Sequence, residues 1–134
     1  MLLQLDFSSG TPIYRQIRDQ FVLGIANGRL LAGEKLPTVR ALANEIGVNA
    51  MTINKAYQIL KQEAYITSDR RGGTVVAGQK DARSMEKFME KTLEDLRLPA
   101  ASAKLAGVAR KEWLELCALA YEGQGENTKK EKRR

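Results

Sequence analysis

The sequence predicts a mainly α-helical fold carrying one small β-hairpin, and three observations predict it. Three early segments repeat apolar residues at the period of a helix, and the second and third are separated only by a short Gly47-Val48 link. After residue 64 the pattern changes to two brief β-prone runs around a polar turn that contains two glycines. From about residue 80 the helical period returns, with Glu and Lys filling the opposite face. Taken in order, these elements make a winged helix-turn-helix followed by a two- or three-helix C-terminal segment. A length of 134 residues and a hydrophobic fraction of 43% suffice for one packed core with a short appendage.

Thr11-Pro12 is the first helix signal, read as an N-cap followed by proline in the first helical position. Ile13, Ile17, Phe21 and Ile25 then recur every fourth residue as one face, and Asn27-Gly28 supplies the stop. The connection Arg29–Pro37 contains Gly33 and ends in proline. Thr38 can cap a second helix, in which Val39, Leu42, Ala43 and Ile46 stand at i, i+3, i+4 and i+7 before Gly47 closes it. Asn49 can cap the third, Ala50–Glu63, where Ile53, Ala56, Tyr57 and Leu60 repeat the same stripe. Two short helices joined by a tight glycine-containing turn, after a longer first helix, form a tri-helical helix-turn-helix.

Tyr65–Ser68 and Thr74–Ala77 are the β-prone runs, and Asp69-Arg70-Arg71-Gly72-Gly73 between them is a turn whose glycines can take positive φ. A basic-tipped hairpin directly after the third helix is a wing. Gly78–Asp81 is the expected boundary. Beyond it Met85, Phe88, Met89, Thr92, Leu93 and Leu96 form an amphipathic stripe that Pro99 is expected to end or kink. Ala100–Ala106 reads as helical again, with Gly107 a stop or hinge, and Trp113, Leu116, Cys117 and Ala120 mark a last helix ending before Gly123. The expected organisation is a winged helix-turn-helix DNA-binding domain over 1–78, a helical dimerisation segment over 79–122 and a disordered basic tail over 123–134.

The charge is unevenly distributed. The chain carries 22 basic against 16 acidic residues, a net of +6. Residues 1–78 hold 9 and 6, residues 79–122 hold 8 and 8, and residues 123–134 hold 5 and 2. Half of the excess therefore lies in a polar tail with nothing apolar to bury, so overall basicity is a weak argument for nucleic acid. A lone cysteine, Cys117, leaves no intrachain disulfide framework. With no histidine there is no imidazole acid–base chemistry, and no soft-metal site or other cofactor is expected within one chain. No apolar run reaches the ~18 residues of a membrane span, and Met1–Phe7 lacks the basic start and cleavage site of a signal peptide. The expectation is a soluble, cytoplasmic protein that is not an enzyme. Asp81, Glu86 and Glu90 read as surface carboxylates with lysine neighbours, Gly123 and Gly125 sit in no phosphate loop, and Cys117 lies in an apolar stripe.

The face that the third helix leaves unburied carries the candidate chemistry. A major groove about 12 Å wide admits one helix, whose N-terminal side chains meet base edges. Ala50, Met51, Asn54, Lys55, Gln58 and Lys61 lie off the Ile53/Leu60 stripe, Thr52 sits in the first turn and Asn49 stands at its cap. An asparagine amide can pair with adenine, threonine with several bases, and a methionine can lie against a thymine methyl. Lys55 suits a phosphate or a guanine edge. Thr38 and Arg40 open the second helix; Arg40 could serve the same groove or pair with Glu34 or Glu45. At the wing tip Arg70 and Arg71 can reach phosphates or the minor groove, and Gly72 and Gly73 permit close backbone approach. An ordinary solvated surface is the competing interpretation of each.

Residues 80–122 are too few to enclose a ligand cavity of the usual 300–1,000 Å³ as well as their own core, which argues against a dedicated effector domain; no effector is specified. Met85, Phe88, Met89, Leu93, Leu96, Trp113 and Leu116 are many large apolar groups for so short a piece, so pairing with a second copy is expected over packing back on residues 1–78. Such a two-fold homodimer would set two recognition helices one turn apart on a palindrome.

Leu36-Pro37-Thr38-Val39-Arg40-Ala41-Leu42-Ala43, Gly47-Val48-Asn49, Thr52-Ile53-Asn54-Lys55-Ala56-Tyr57 and Gly72-Gly73-Thr74-Val75-Val76 closely resemble the GntR superfamily of bacterial transcriptional regulators, as does the opening Pro12-Ile13-Tyr14-Arg15-Gln16-Ile17. The short C-terminal part is similar in length and position to that of the YtrA-type subfamily. The resemblance implies a dimeric winged helix-turn-helix repressor on a palindromic double-stranded DNA operator. It also implies DNA contacts from Arg40, from Asn49–Asn54 and from the wing glycine, at Gly73 or Gly72. Many relatives carry arginine where Ala50 and Asn54 stand, so the resemblance implies a different base preference here. A winged-helix protein-interaction adaptor without specific DNA binding is the alternative.

Overall fold

The computed structural model describes residues 3–79 and 81–123. The chain divides into two compact units, Met1–Gln79 and Lys80–Arg134. The first contains α1 (Ile13–Ala26), α2 (Val39–Ile46), α3 (Ala50–Gln62), β1 (Ile66–Ser68) and β2 (Thr74–Val76); the second contains α4 (Ala82–Leu105) and α5 (Arg110–Glu122). The expected tail, apart from Gly123, lies outside the described residues.

The first unit is built round the apolar stripes. Ile17 and Phe21 of α1, Leu42 and Ala43 of α2, and Ile53, Ala56, Tyr57 and Leu60 of α3 are buried together with Leu30, Leu36, Ile66 and Val76. Phe21 and Tyr57 meet edge to face with centroids 5.6 Å apart, a geometry worth about 0.5–1.5 kcal/mol beyond the area it buries. β1 and β2 are antiparallel, pairing Ile66 with Val76, Thr67 with Val75 and Ser68 with Thr74.

Both helices of the helix-turn-helix are capped by the residues their sequence nominates. Thr38 accepts a hydrogen bond from the Ala41 amide (3.1 Å), and Asn49 accepts one from the Met51 amide (2.8 Å). Gly47 ends α2 in the left-handed region, at φ 70°, which glycine enters without the Cβ penalty. α3 ends differently. Ala64 takes φ 65°, and the amides of Ala64 and Tyr65 bond back to the carbonyls of Lys61 (3.1 Å) and Leu60 (2.9 Å). This is a Schellman closure with alanine in the seat that favours glycine.

The start of α1 corrects the expectation for Thr11-Pro12. Pro12 is itself the cap residue, no side chain caps the helix, and helical geometry begins at Ile13. The cause is the preceding segment, which glutamines on α1 hold against the helix. Gln16 takes the Asp6 amide (2.8 Å) on its carbonyl oxygen and gives its own amide to the carbonyls of Asp6 and Thr11 (2.9 Å each). Gln20 does the same for the amide (2.8 Å) and carbonyl of Gln4. Leu3 and Leu5 on this strap pack against the core.

In the second unit, Pro99 does not end the helix: α4 runs through it, so Ala100–Leu105 belongs to α4 with Ala106 as its C-cap, and the described segment has two helices. Proline removes the bond that the Asp95 carbonyl would receive, but Asp95 and Pro99 are both exposed, so water can satisfy that carbonyl. Good helix formers on the C-terminal side carry the helix on. Asp81 caps α4 by accepting from the Ser84 amide (2.8 Å), and these hydrogen bonds hold its carboxyl below the usual carboxylate range. Gly107, at φ 87°, follows the last turn of α4.

Candidate nucleic-acid interface

α3 is inserted into its unit by one face, and the opposite face is continuous. Met51, Asn54, Lys55, Gln58, Lys61 and Gln62 are all exposed, and their spacing of three and four residues sets them along one side of the helix. Met51 is 79% exposed, a large apolar group left in water at the helix's N-terminal end. Thr52 is half-buried. Asn49 spends one lone pair of its amide oxygen on the cap bond to Met51, whereas no hydrogen bond engages the Asn54 or Gln58 amides among the described residues. The latter two are the better equipped for bidentate pairing with adenine.

Three contacts between distant parts of the chain fix the surroundings of this face. The Tyr57 hydroxyl donates to the Pro37 carbonyl at 2.7 Å, tying α3 to the residue before the α2 cap; burial pushes the Tyr57 phenol above its ordinary range. Arg18 of α1 forks onto Glu63 at the end of α3, with Nε to Oε1 at 2.8 Å and Nη2 to Oε2 at 2.6 Å, and reaches Asp19 with Nη1. Hydrogen bonding to Glu63 holds the guanidinium firmly protonated. Lys55 places its ammonium 4.0 Å from the centroid of the Tyr14 ring. Apart from the adjacent Arg18 and Asp19, none of these pairs is close in sequence, and no local pattern marks them.

The stretch read as a plain connection is also a structural part. The amides of Gly33 and Leu36 donate to the carbonyls of Val76 and Thr74 (2.8 Å each), and the Val76 amide returns a bond to Glu34 (2.9 Å). This backbone covers the outer edge of β2 and leads directly into Pro37 and Thr38. Arg40, two residues on, is exposed. It forms no ion pair with Glu34 or Glu45 among the described residues, so its guanidinium remains available. The Thr38 oxygen accepts the cap bond, leaving its hydroxyl proton to donate.

The wing turn is organised by Asp69, whose Oδ1 accepts from the amides of Arg71 (2.9 Å) and Gly73 (2.8 Å). Arg70 and Arg71 project from it exposed. The two glycines answer different demands. Gly72 needs φ 83° and has open space around it, while a Cβ on Gly73 would stand 2.9 Å from Lys35 Cε and 3.2 Å from Asp69 Oδ2. A side chain at Gly73 would have to displace the flexible end of Lys35 and crowd Asp69, whereas Gly72 is demanded by its positive φ.

The candidate dimer residues all lie on α4 and α5. Met85, Phe88, Met89, Leu93, Leu96 and Leu116 are each between 44% and 66% exposed, and Trp113 is half-buried. Leu98, Leu105, Leu114, Leu119 and Tyr121 are exposed as well. α4 and α5 contact each other, yet neither helix has a buried residue. No Glu–Lys ion pair forms within α4 among the described residues.

Residues 12–76 match the family described as bacterial regulatory proteins, gntR family. Over 129 residues the chain is 33% identical to the HTH-type transcriptional repressor YtrA of Bacillus subtilis (strain 168), a similarity that covers 94% of this chain and 99% of YtrA. The chain belongs to the GntR family. The likeness to YtrA includes the short C-terminal segment, so it extends beyond the winged unit. Among solved structures, a transcriptional antiterminator from Listeria monocytogenes EGD-e superposes with a TM-score of 0.78 at 31% identity, covering 88% of each chain. The DNA-binding domain of AraR in complex with operator ORX1 has a TM-score of 0.50 at 31% identity, covering 56% of this chain and 96% of that one. As a GntR protein the chain is a transcriptional regulator with a winged helix-turn-helix DNA-binding domain. Among the described residues no helix is long and apolar enough to cross a membrane, and no group of three His, Cys, Asp or Glu side chains could hold a metal ion.

Proposed function

We propose that this GntR protein is a repressor that binds a palindromic operator as a homodimer, reading bases with α3, contacting the same groove with Arg40 and holding phosphates with the wing arginines. The observation that carries this is the exposed, capped N-terminal half of α3. It offers Met51, Asn54 and Lys55 on one face with Arg40, Arg70 and Arg71 unpaired in the same unit. The named relatives YtrA, a repressor, and AraR, bound to an operator, support it. Residues 80–122 would pair the two copies, because α4 and α5 have no core of their own to bury their large apolar side chains.

Binding to duplex fragments from the region upstream of the coding sequence, titrated with salt, tests the DNA role. Neutralised phosphates release counterions, so log K should fall linearly and steeply with log salt. An adaptor that binds protein instead would show only weak, flat binding, and that result would overturn the proposal. Truncation after Gly78 leaves the first unit with its core complete and should give monomers in sedimentation; a fragment that stays dimeric would remove the role given to α4 and α5.

A further inference from the structure

Of the cations on the α3 side of the first unit, one is not loose. The Lys55 ammonium sits 4.0 Å from the centroid of the Tyr14 ring. Tyr14, the second residue of α1, is half-buried and packed against the core. The ring is therefore held by the core, and the lysine by the ring. Arg40, Lys61, Arg70 and Arg71 have no such seat among the described residues. Arg18 also lies over a ring, that of Tyr65 at 5.9 Å, but its guanidinium is spent on Glu63 and Asp19.

A free lysine loses much of its rotamer freedom when it is fixed against a phosphate. One already seated on an aromatic face has lost that freedom beforehand, so less is given up on binding. The ring engages one side of the ammonium electrostatically, and N–H donors on the other side remain for an anionic oxygen. A compact ammonium held in this way suits a backbone phosphate, which asks for a point charge, better than a guanine edge read by a bidentate fork.

We propose that Tyr14 is a positioning residue for DNA binding: its ring seats the Lys55 ammonium where it meets a backbone phosphate. This rests on the DNA-binding reading above, and the experiment separates the two. The probe is a mixed-sequence duplex about three helical turns long, because a phosphate contact does not depend on sequence. The full-length chain is compared with Tyr14→Phe, Tyr14→Leu, Lys55→Met and the Tyr14→Leu/Lys55→Met double variant across a salt series.

Lys55→Met should lower the slope of log K against log salt by about 0.9 per bound chain. Tyr14→Phe, which keeps the ring, should bind as the wild type does. Tyr14→Leu should weaken binding about two- to ten-fold with the slope unchanged, and should cost nothing further in the Lys55→Met background. In the free protein the Lys55 ε-methylene proton resonances should be shifted upfield by the ring in the wild type and in Tyr14→Phe. They should return to ordinary values in Tyr14→Leu, or in Tyr14→Met should the leucine variant fail to fold. An equal loss from Tyr14→Leu with and without Lys55, an unchanged salt slope in Lys55→Met, or unshifted Lys55 resonances in the wild type would each overturn the proposal. Absence of salt-dependent binding by the wild type would instead overturn the DNA reading itself.

Discussion

Replacing Arg40 with alanine separates a contact residue from a structural one, because Arg40 is exposed and forms no ion pair among the described residues. Nothing in the fold depends on the guanidinium, and a cation near the N-terminal end of α2 opposes the helix dipole slightly. Unfolding free energy should therefore change by less than about 0.5 kcal/mol. Binding should respond quite differently. One lost side-chain contact to a base edge costs about 1–3 kcal/mol, or roughly 5- to 150-fold, and a dimer that seats both half-sites loses it twice. Affinity for the footprinted operator should then fall by roughly 30-fold to ~10⁴-fold. Fluorescence anisotropy over a salt series tells which kind of contact was lost. A phosphate contact takes about 0.9 off the slope for each arginine removed. A base contact leaves the slope in place and narrows discrimination between operator variants. Undiminished affinity in a folded, dimeric variant would refute the role, and a melting loss above about 1 kcal/mol would refute the structural premise.

Three other substitutions test the frame behind that surface. Tyr57→Phe removes the 2.7 Å bond to the Pro37 carbonyl and should cost about 1–2 kcal/mol at neutral pH, read by thermal or urea melts. Burial raises the Tyr57 phenol above its ordinary value of 10.0, so the folded chain keeps a proton that the unfolded chain releases. The wild type should be stable below pH 10 and lose up to about 1.4 kcal/mol per pH unit above it, relative to Tyr57→Phe measured in parallel. Ala64→Gly should raise stability by about 0.5–1 kcal/mol by relieving the φ of 65°; a loss would mean the alanine side chain packs usefully there. Arg18→Met should cost about 1–2 kcal/mol by leaving partly exposed Glu63 without its fork, with DNA affinity at fixed salt affected less than by Arg40→Ala.

The parts of the fold that were legible in the sequence are those set by local rules. The period of Ile53, Ala56, Tyr57 and Leu60 placed α3, and Thr38, Asn49 and Gly47 marked its neighbourhood because caps act within three or four residues of chain. The Asp69–Gly73 turn could be read for the same reason. What escaped depends on residues far apart in sequence. The Gln16 and Gln20 strap displaced the expected cap at Thr11, and the Gly33–Leu36 backbone joined β2 although its composition is that of a loop. Pro99 does not end α4, because the carbonyl it leaves without a partner, that of Asp95, is exposed to water. At the candidate interface the residue types were legible, but their availability was not. Only the structure shows that the Asn49 oxygen is partly committed, that Lys55 is seated on Tyr14 and that Lys35 and Asp69 crowd Gly73.

The small charge of the winged region and the bare apolar surface of the C-terminal helices bear on the same question. Residues 1–78 carry a net charge of only +3, so one unit can neutralise few phosphates and would bind weakly at physiological salt. Linking two such units makes the second binding event intramolecular, and affinity can then exceed that of either unit by about 10²–10⁴. The linkage needs an interface, and α4 and α5 carry large apolar side chains with no core of their own to cover them. Residues 79–122 hold equal numbers of acidic and basic groups, so two copies can approach without net repulsion. In the proposed dimer the neutrality of that segment would matter to DNA binding as much as the cations on α3 and the wing. Adding charge to α4 should weaken operator binding without touching a single DNA contact.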